Sequence, residues 1–131
     1  MGVLADRYRT AAEFRLALLG FQRRTTGITA RHGLTPQRYL LLLLVRVGSD
    51  SGEPATVTAL QEPLQMTQSA VTQLVLGAQS AGLIHRVPNP QDARSHALAL
   101  TADGAQRLRR AFEDLSEERE SLLRTVEALA R

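Results

Sequence analysis

Residues 67–100 of this 131-residue chain, TQSAVTQLVLGAQSAGLIHRVPNPQDARSHALAL, decide its fold. Thr67 is a typical helix N-cap, apolar residues then recur at helical spacing, and Gly82 is a typical C-terminal stop. The predicted inner face of this helix comprises Ala70, Val71, Leu74, Val75 and Ala78. Two short apolar segments, residues 83–87 and 97–100, flank the polar, turn-rich residues 88–95, and this pattern predicts a β-hairpin with a long tip.

Two predicted helices lie just before this segment. Thr35 as N-cap and Pro36 as first helical residue begin a leucine-rich helix that is expected to end at Gly48. Residues 58–61, TALQ, fit the capping box of a short third helix. Pro63 falls within that helix, where its missing N–H costs about 3 kcal/mol unless the helix ends there. The third helix and the helix after it form a helix-turn-helix candidate.

Both ends of the chain carry long apolar stripes. Apolar residues spaced by three and four predict one amphipathic helix over residues 4–32, which Gly33 ends. Thr101 is expected to cap a single closing helix over residues 101–131, whose apolar seam is interrupted only by Arg119. In so short a chain, the simplest way to bury both stripes is against each other and against a second copy. The sequence therefore predicts a homodimer.

Composition excludes several classes of protein. The chain is 44% hydrophobic and 22% charged, which is typical of a folded domain, and its length supports one domain with one core. Its longest strictly apolar run, residues 39–45, is far shorter than the roughly 20 residues of a membrane span. With no signal-like N-terminus either, a cytoplasmic protein without membrane partners is expected.

Catalytic and metal-binding patterns are equally sparse. The chain has no cysteine, which excludes disulfides, thiolate metal sites and a cysteine nucleophile. His32, His85 and His96 lack the spacing of a zinc site, and Ser69 with Asp92 and His85 lacks the nucleophile elbow of a hydrolase. No glycine-rich phosphate loop occurs. We therefore expect neither an enzyme nor a metal or cofactor.

Charge is distributed unevenly along the chain. Every basic residue is arginine, and the net charge is +3. Residues 1–49 carry a net +6, residues 50–100 a net −2 and residues 101–131 a net −1. The N-terminal excess fits an acidic partner such as nucleic acid, and a solvated helix face would explain it almost as well.

Five short motifs, in order, resemble the MarR family of bacterial transcriptional regulators. They are residues 34–37 (LTPQ), 69–72 (SAVT) followed by Leu74 and Val75, 81–86 (AGLIHR), 92–95 (DARS) and 100–104 (LTADG). The resemblance implies a mainly α fold with a small β-hairpin wing: a winged helix-turn-helix over residues 34–100, flanked by dimerisation helices over residues 1–33 and 101–131 in a single domain. The tail is shorter than the two closing helices common in the family.

The resemblance also implies a dimer on a pseudo-palindromic DNA operator, with the helix after Thr67 in the major groove and the wing along the minor groove. The residues that match DNA-binding positions or could neutralise phosphates are Arg38, Thr67, Gln68, Ser69, Thr72, Gln73, Arg86, Asp92, Arg94 and Ser95. Glutamine can pair with adenine, Arg94 would enter the minor groove, and Asp92 would brace the wing tip. Alternatively, the Ser and Thr residues are only a cap and solvent-facing positions, and Asp92 with Arg94 is a surface pair.

Two features depart from the family pattern. Gln73 stands where the family commonly has arginine, and no basic residue lies between Arg46 and Arg86, so a shallow salt dependence of DNA binding is expected. Gly77 lies in the middle of the predicted recognition helix, where it costs about 1 kcal/mol relative to alanine.

The function implied is a sequence-specific, ligand-responsive repressor. An effector pocket between the dimer helices and the DNA-binding part would be lined by Phe14, Phe21, Tyr39 and Arg46, although such residues are more often plain core. The alternative is a protein-interaction module on a degenerate winged-helix fold that does not bind DNA, which the net −2 of residues 50–100 favours.

Overall fold

The computed structural model describes residues 2–131. Its elements are α1 (Val3–Ala30), α2 (Pro36–Ser51), α3 (Val57–Leu64), α4 (Gln68–Ser80), β1 (Ile84–Pro88), β2 (His96–Leu100), α5 (Ala102–Asp114) and α6 (Ser116–Leu129). The fold is mainly helical, with one antiparallel hairpin, as the sequence predicts. Across the described residues, no helix combines the length and hydrophobicity that a membrane crossing requires.

The core forms where α2, α4, α5 and the hairpin meet. It is built largely from aliphatic side chains with almost no exposed surface: Leu41, Leu42, Val45, Val71, Val75, Ala78, Leu83, Ile84, Leu98, Ala111 and Leu115. The apolar face of α4 is thus turned inwards, and burying each such side chain stabilises the fold by about 1.5–3 kcal/mol. The opposite face of α4 is left towards solvent.

The end of α2 differs from the prediction. The helix continues through Gly48 to Ser51 and ends at Gly52, whose φ is 79°. Gly48 is buried, and a Cβ on it would lie 2.8 Å from the carbonyl oxygen of Glu53 and 2.9 Å from the nitrogen of Ala55. Glycine at position 48 therefore leaves room for residues 53–55 to pack against α2, and it does not end the helix.

The start of α3 also differs. The N-cap is Thr56, whose Oγ1 accepts a hydrogen bond from the backbone N–H of Ala59 at 3.0 Å, so the capping box predicted at residues 58–61 is wrong. The helix extends one residue past Pro63 and ends at Gln65, which has a φ of 52°. Pro63 has no N–H to donate to the carbonyl four residues earlier. Because Pro63 lies in the last turn, this missing hydrogen bond leaves most of the helix unaffected.

The closing segment is two helices instead of the single predicted one. The break falls at Leu115, which is buried in the core between α5 and α6. Beyond it α6 packs along α1, and the guanidinium of Arg24 donates to the carboxylate of Glu118. The helical pattern is thus interrupted at a single buried residue, which has a φ of −88° and a ψ of −3°.

One hydrogen bond ties the hairpin to the helical part, and a second one closes the base of the hairpin itself. Its register pairs Ile84 with Leu100 and Pro88 with His96. The N–H of Leu98 donates to the carbonyl of Ala55 at 2.9 Å, which ties β2 to the segment between α2 and α3. The N–H of Thr101 donates to the carbonyl of Leu83 at 3.1 Å. The wing is therefore held in place next to the helix-turn-helix.

Candidate nucleic-acid interface

The exposed face of α4 carries mainly polar side chains, together with Leu76, which is 41% exposed. Gln68, Ser69 and Gln73 are exposed and Thr72 is half-buried, whereas the apolar side chains of the other face are in the core. At 100° per residue these four positions fall on one side of the helix. They offer hydroxyl and amide groups that can donate and accept hydrogen bonds, which is the chemistry needed to contact base edges.

Thr67 has a structural task at the start of α4. Its Oγ1 accepts a hydrogen bond from the N–H of Ala70 at 3.2 Å and so caps the helix. The cap fixes the first turn, from which Gln68 and Ser69 project. Within this structure the Thr67 hydroxyl positions its neighbours.

The wing tip is ordered by a set of local hydrogen bonds. The carboxylate of Asp92 accepts from the N–H of Arg94 at 2.9 Å, and the amide of Asn89 donates to the hydroxyl of Ser95 at 2.9 Å. The side chain of Gln91 donates to the carbonyl of Gly52 at 3.1 Å, which joins the tip to the end of α2. Asp92 therefore braces the turn that presents Arg94.

Three arginines of the predicted interface keep their charge unpaired. The ion pairs found in residues 2–131 involve other cations, and none involves Arg38, Arg86 or Arg94. Arg94 is exposed at the tip of the wing. Arg86, opposite Leu98 in the hairpin, borders a cavity of about 740 Å³ beneath the wing, between the hairpin, α2 and α3. Arg86 and Arg94 therefore occupy different parts of the wing.

The predicted effector residues do not come together in one chain. Phe14 borders a groove between α1 and α6, and Arg46 is exposed and paired with Asp50 at 3.0 Å beside a different depression at the start of α5. Phe21 is half-buried on α1, and Tyr39 is buried in the core. Phe14 and Arg46 thus line different depressions in one chain, and the pocket between the dimer helices and the DNA-binding part stays a prediction.

Arg119 is a residue whose role the sequence did not suggest. Its guanidinium carbon lies 4.0 Å from the centre of the Phe112 ring. Burial raises the pKa of the Tyr39 hydroxyl, and the charge and hydrogen bond of Arg119 act in the opposite direction. Arg119 therefore links α6 to α5 and α2. The seven-residue spacing from Phe112 to Arg119, two helical turns, was the available signal.

A second polar link joins the turn after α1 to α5. The imidazole of His32 lies 2.6 Å from the carboxylate of Asp114, and the guanidinium of Arg107 donates to the carbonyl of His32 at 3.0 Å. Arg107 also pairs with Asp103 at 3.1 Å. These contacts hold the end of α1 against α5.

Comparison with known proteins agrees with this architecture. A sequence model described as MarR family matches residues 32–95. A crystal structure of a MarR family transcription regulator is similar at 25% identity, covers 97% of this chain and 83% of that one, and has a TM-score of 0.78. No curated protein sequence matches the chain.

Two structures solved with DNA share the fold at lower identity. The S. aureus MepR–DNA complex is 18% identical with a TM-score of 0.74, covering 84% of this chain and 77% of its own. A mutant of E. coli MarR complexed with operator DNA is 18% identical with a TM-score of 0.73, covering 99% and 96%. Together, the matched segment and the fold confirm the resemblance seen in the sequence: residues 32–95 match the MarR family model, and the chain has the fold of a MarR family transcription regulator.

Proposed function

We propose that this protein binds a pseudo-palindromic DNA operator as a homodimer and represses transcription from it. One observation carries the proposal: the exposed polar face of α4 lies in a winged helix-turn-helix whose wing tip presents an unpaired arginine. Residues 34–100 would bind DNA, with α4 in the major groove and the wing along the adjacent minor groove. The MepR and MarR complexes support this reading, since each holds DNA on the same fold.

The terminal helices support the dimer. Leu16 on α1 and Leu123 on α6 are 65% and 67% exposed, and α6 has no fully buried residue. α1 also exposes Val3, Leu4, Tyr8 and Leu19, and large apolar side chains concentrated on the terminal helices would be covered by an interface. A second copy, packed through residues 1–33 and 101–131, would cover them and would place two α4 helices about 34 Å apart, one turn of DNA.

Relief of repression by a small ligand completes the proposal. The support for it is the family resemblance, because the four residues predicted to bind an effector do not line one cavity in a single chain. A pocket that uses them would need side chains from the second copy.

The proposal is tested by titrating the purified protein into a fluorescent duplex of the region upstream of its own gene. A scrambled duplex of the same length is the control, and both are measured at several salt concentrations. We expect preferential binding to the upstream duplex, with an affinity that falls as salt rises. Equal weak binding to both duplexes would favour the protein-interaction module, which the net −2 of residues 50–100 also favours.

Replacing Arg94 by alanine is expected to weaken operator binding about tenfold for each half-site, hence about 100-fold for the dimer, because each copy loses one hydrogen bond between a charged group and DNA, worth roughly 1.5 kcal/mol. The loss should be larger on operators with an A-tract beside each half-site, because a narrow minor groove concentrates negative potential. Titrations of paired operators that differ only in this flank measure both effects. Unchanged affinity on both operators would show that the wing tip does not contact DNA.

Replacing Asp92 tests whether its carboxylate stabilises the wing turn or only adds negative charge near the DNA. The two roles predict changes of opposite sign in DNA affinity. Asp92→Ala removes a negative charge near the DNA, which on electrostatic grounds alone should strengthen binding. Because the Asp92 carboxylate accepts a hydrogen bond from the N–H of Arg94 at 2.9 Å, we expect binding to weaken instead. A rise in affinity would mean that the turn holds its shape without Asp92.

A further inference from the structure

Gly77 lies in the third turn of α4, on the flank next to the exposed polar face. A Cβ built at this position would lie 3.1 Å from Nη2 and 3.9 Å from Cζ of Arg38. Arg38 belongs to the first turn of α2, where its N–H donates to the Thr35 hydroxyl at 3.1 Å. The guanidinium therefore reaches across from α2 and rests against α4 in the space that the glycine leaves open.

The charge of Arg38 has no carboxylate partner in the part of the chain that the structure describes. The ion pairs found there belong to other residues, including Arg46 on the same helix, which pairs with Asp50 at 3.0 Å. A guanidinium carries five N–H donors in a planar fork that suits phosphate oxygens. Arg38 is half-buried, so the aliphatic part of its side chain packs against the protein while its guanidinium remains accessible to a phosphate.

The helix against which Arg38 rests has no cation of its own. Neither α3 nor α4 contains lysine or arginine. Gln73, which is exposed, precedes Gly77 by one turn and lies on the same side of α4. The guanidinium of Arg38 is thus the positive charge found directly beside the polar face proposed to enter the groove.

We propose that Arg38, which belongs to α2, supplies the cation that binds a DNA phosphate beside α4. Gly77 is the positioning residue, because it leaves the space that the Arg38 guanidinium occupies. This rests on the proposed DNA-binding function. Glycine destabilises a helix interior relative to alanine, because it restricts the unfolded chain less and exposes more backbone. Its presence in α4 is explained if a side chain at this position would displace Arg38. A longer side chain than alanine would then remove the cation from the DNA without removing it from the protein.

The test compares wild type, Arg38→Ala, Gly77→Leu and the double variant on the upstream duplex over a range of salt. Arg38→Ala should weaken binding about tenfold or more and reduce the salt slope by about 0.9 for each phosphate that is no longer neutralised, hence by about 1.8 for a dimer. Gly77→Leu should reproduce both changes, and the double variant should bind no more weakly than either single variant. Arg38→Lys, which keeps the charge, should retain most of the slope.

The control is Arg131→Ala, which removes the same charge at the end of α6, where Arg131 pairs with Glu127. It should leave the salt slope unchanged. An unchanged slope in Arg38→Ala, or losses that multiply in the double variant, would overturn the inference although wild type still prefers the operator. Failure of wild type to prefer the operator would instead overturn the proposed function.

A double-mutant cycle, measured as thermal unfolding midpoints without DNA, tests whether residue 77 and Arg38 contact each other. Gly77→Leu should lower the midpoint by less when residue 38 is alanine than when it is arginine, because the clash is then absent. Equal shifts in both backgrounds would show that the two residues do not contact each other in solution, and would overturn the positioning role of Gly77.

Discussion

Gly104→Ala is expected to destabilise the protein by about 3 kcal/mol, the upper end of the range for an overpacked site. A Cβ on Gly104 would lie 1.9 Å from the carbonyl oxygen of Leu83, and that atom belongs to the backbone and cannot move aside like a side-chain tip. The same carbonyl accepts the N–H of Thr101 at 3.1 Å, at the junction of the hairpin with α5. Adding one methyl group must therefore separate α5 from the turn before β1.

The matched control is Gly27→Ala, in a helix position where a Cβ meets nothing within 4 Å. Because alanine is the better helix former, this variant should be more stable than wild type by up to about 1 kcal/mol. Urea unfolding at one protein concentration measures both variants against wild type, which keeps the concentration dependence of a dimer equilibrium the same for all three. If Gly104→Ala unfolds at the wild-type midpoint, the close approach of the two backbones does not exist in solution.

Helix ends that depend on local chemistry could be predicted from the sequence. Thr35, Thr67 and Thr101 each cap the helix that was expected to follow them. Gly33 and Gly82 have φ angles of 71° and 75°, as glycines after a helix commonly do. These signals involve residues within one turn of each other, so no knowledge of the rest of the fold is needed.

Helix ends that depend on distant contacts could not be predicted in this way. The sequence predicts that α2 ends at Gly48, whereas the helix runs on to Gly52, because glycine at position 48 is used for the packing of the following chain. The same holds for Leu115, where the break between α5 and α6 follows from burial of that side chain and from the course of α6 along α1. A 3/4 spacing that runs on through residue 115 does not reveal a bend there.

The residues of the candidate site also divide into those that local sequence patterns predict and those that depend on distant contacts. The exposed face of α4 follows from its apolar periodicity, because the positions that are not core must face solvent. The position of Arg38 beside Gly77 depends on how α2 packs against α4, and no spacing within either helix encodes it. The separation of Phe14 from Arg46 has the same cause, since the depressions that they border are lined by different helices.

Gln68→Ala combined with Gln73→Ala is expected to reduce the preference for the operator over random DNA by about 1,000-fold or more. Both side chains are exposed on the same side of α4, and α4 contains no arginine or lysine that could contact bases instead. A glutamine that pairs bidentately with adenine contributes about 1–3 kcal/mol of discrimination against the wrong base, and the dimer would use each glutamine twice. Total binding to random DNA should change little, because phosphate contacts dominate it.

The measurement is a pair of titrations, on the upstream duplex and on a scrambled duplex, for wild type, the double variant and Gln106→Ala. Gln106 is an exposed glutamine on α5, so its replacement controls for the loss of a surface amide outside the helix-turn-helix. Equal losses on both duplexes would contradict base readout by these glutamines. A selective loss on the upstream duplex, together with an unchanged salt slope, would mean that specificity and charge reside on different residues. Amides on α4 would then choose the sequence, while arginines outside α4 supply the attraction to DNA.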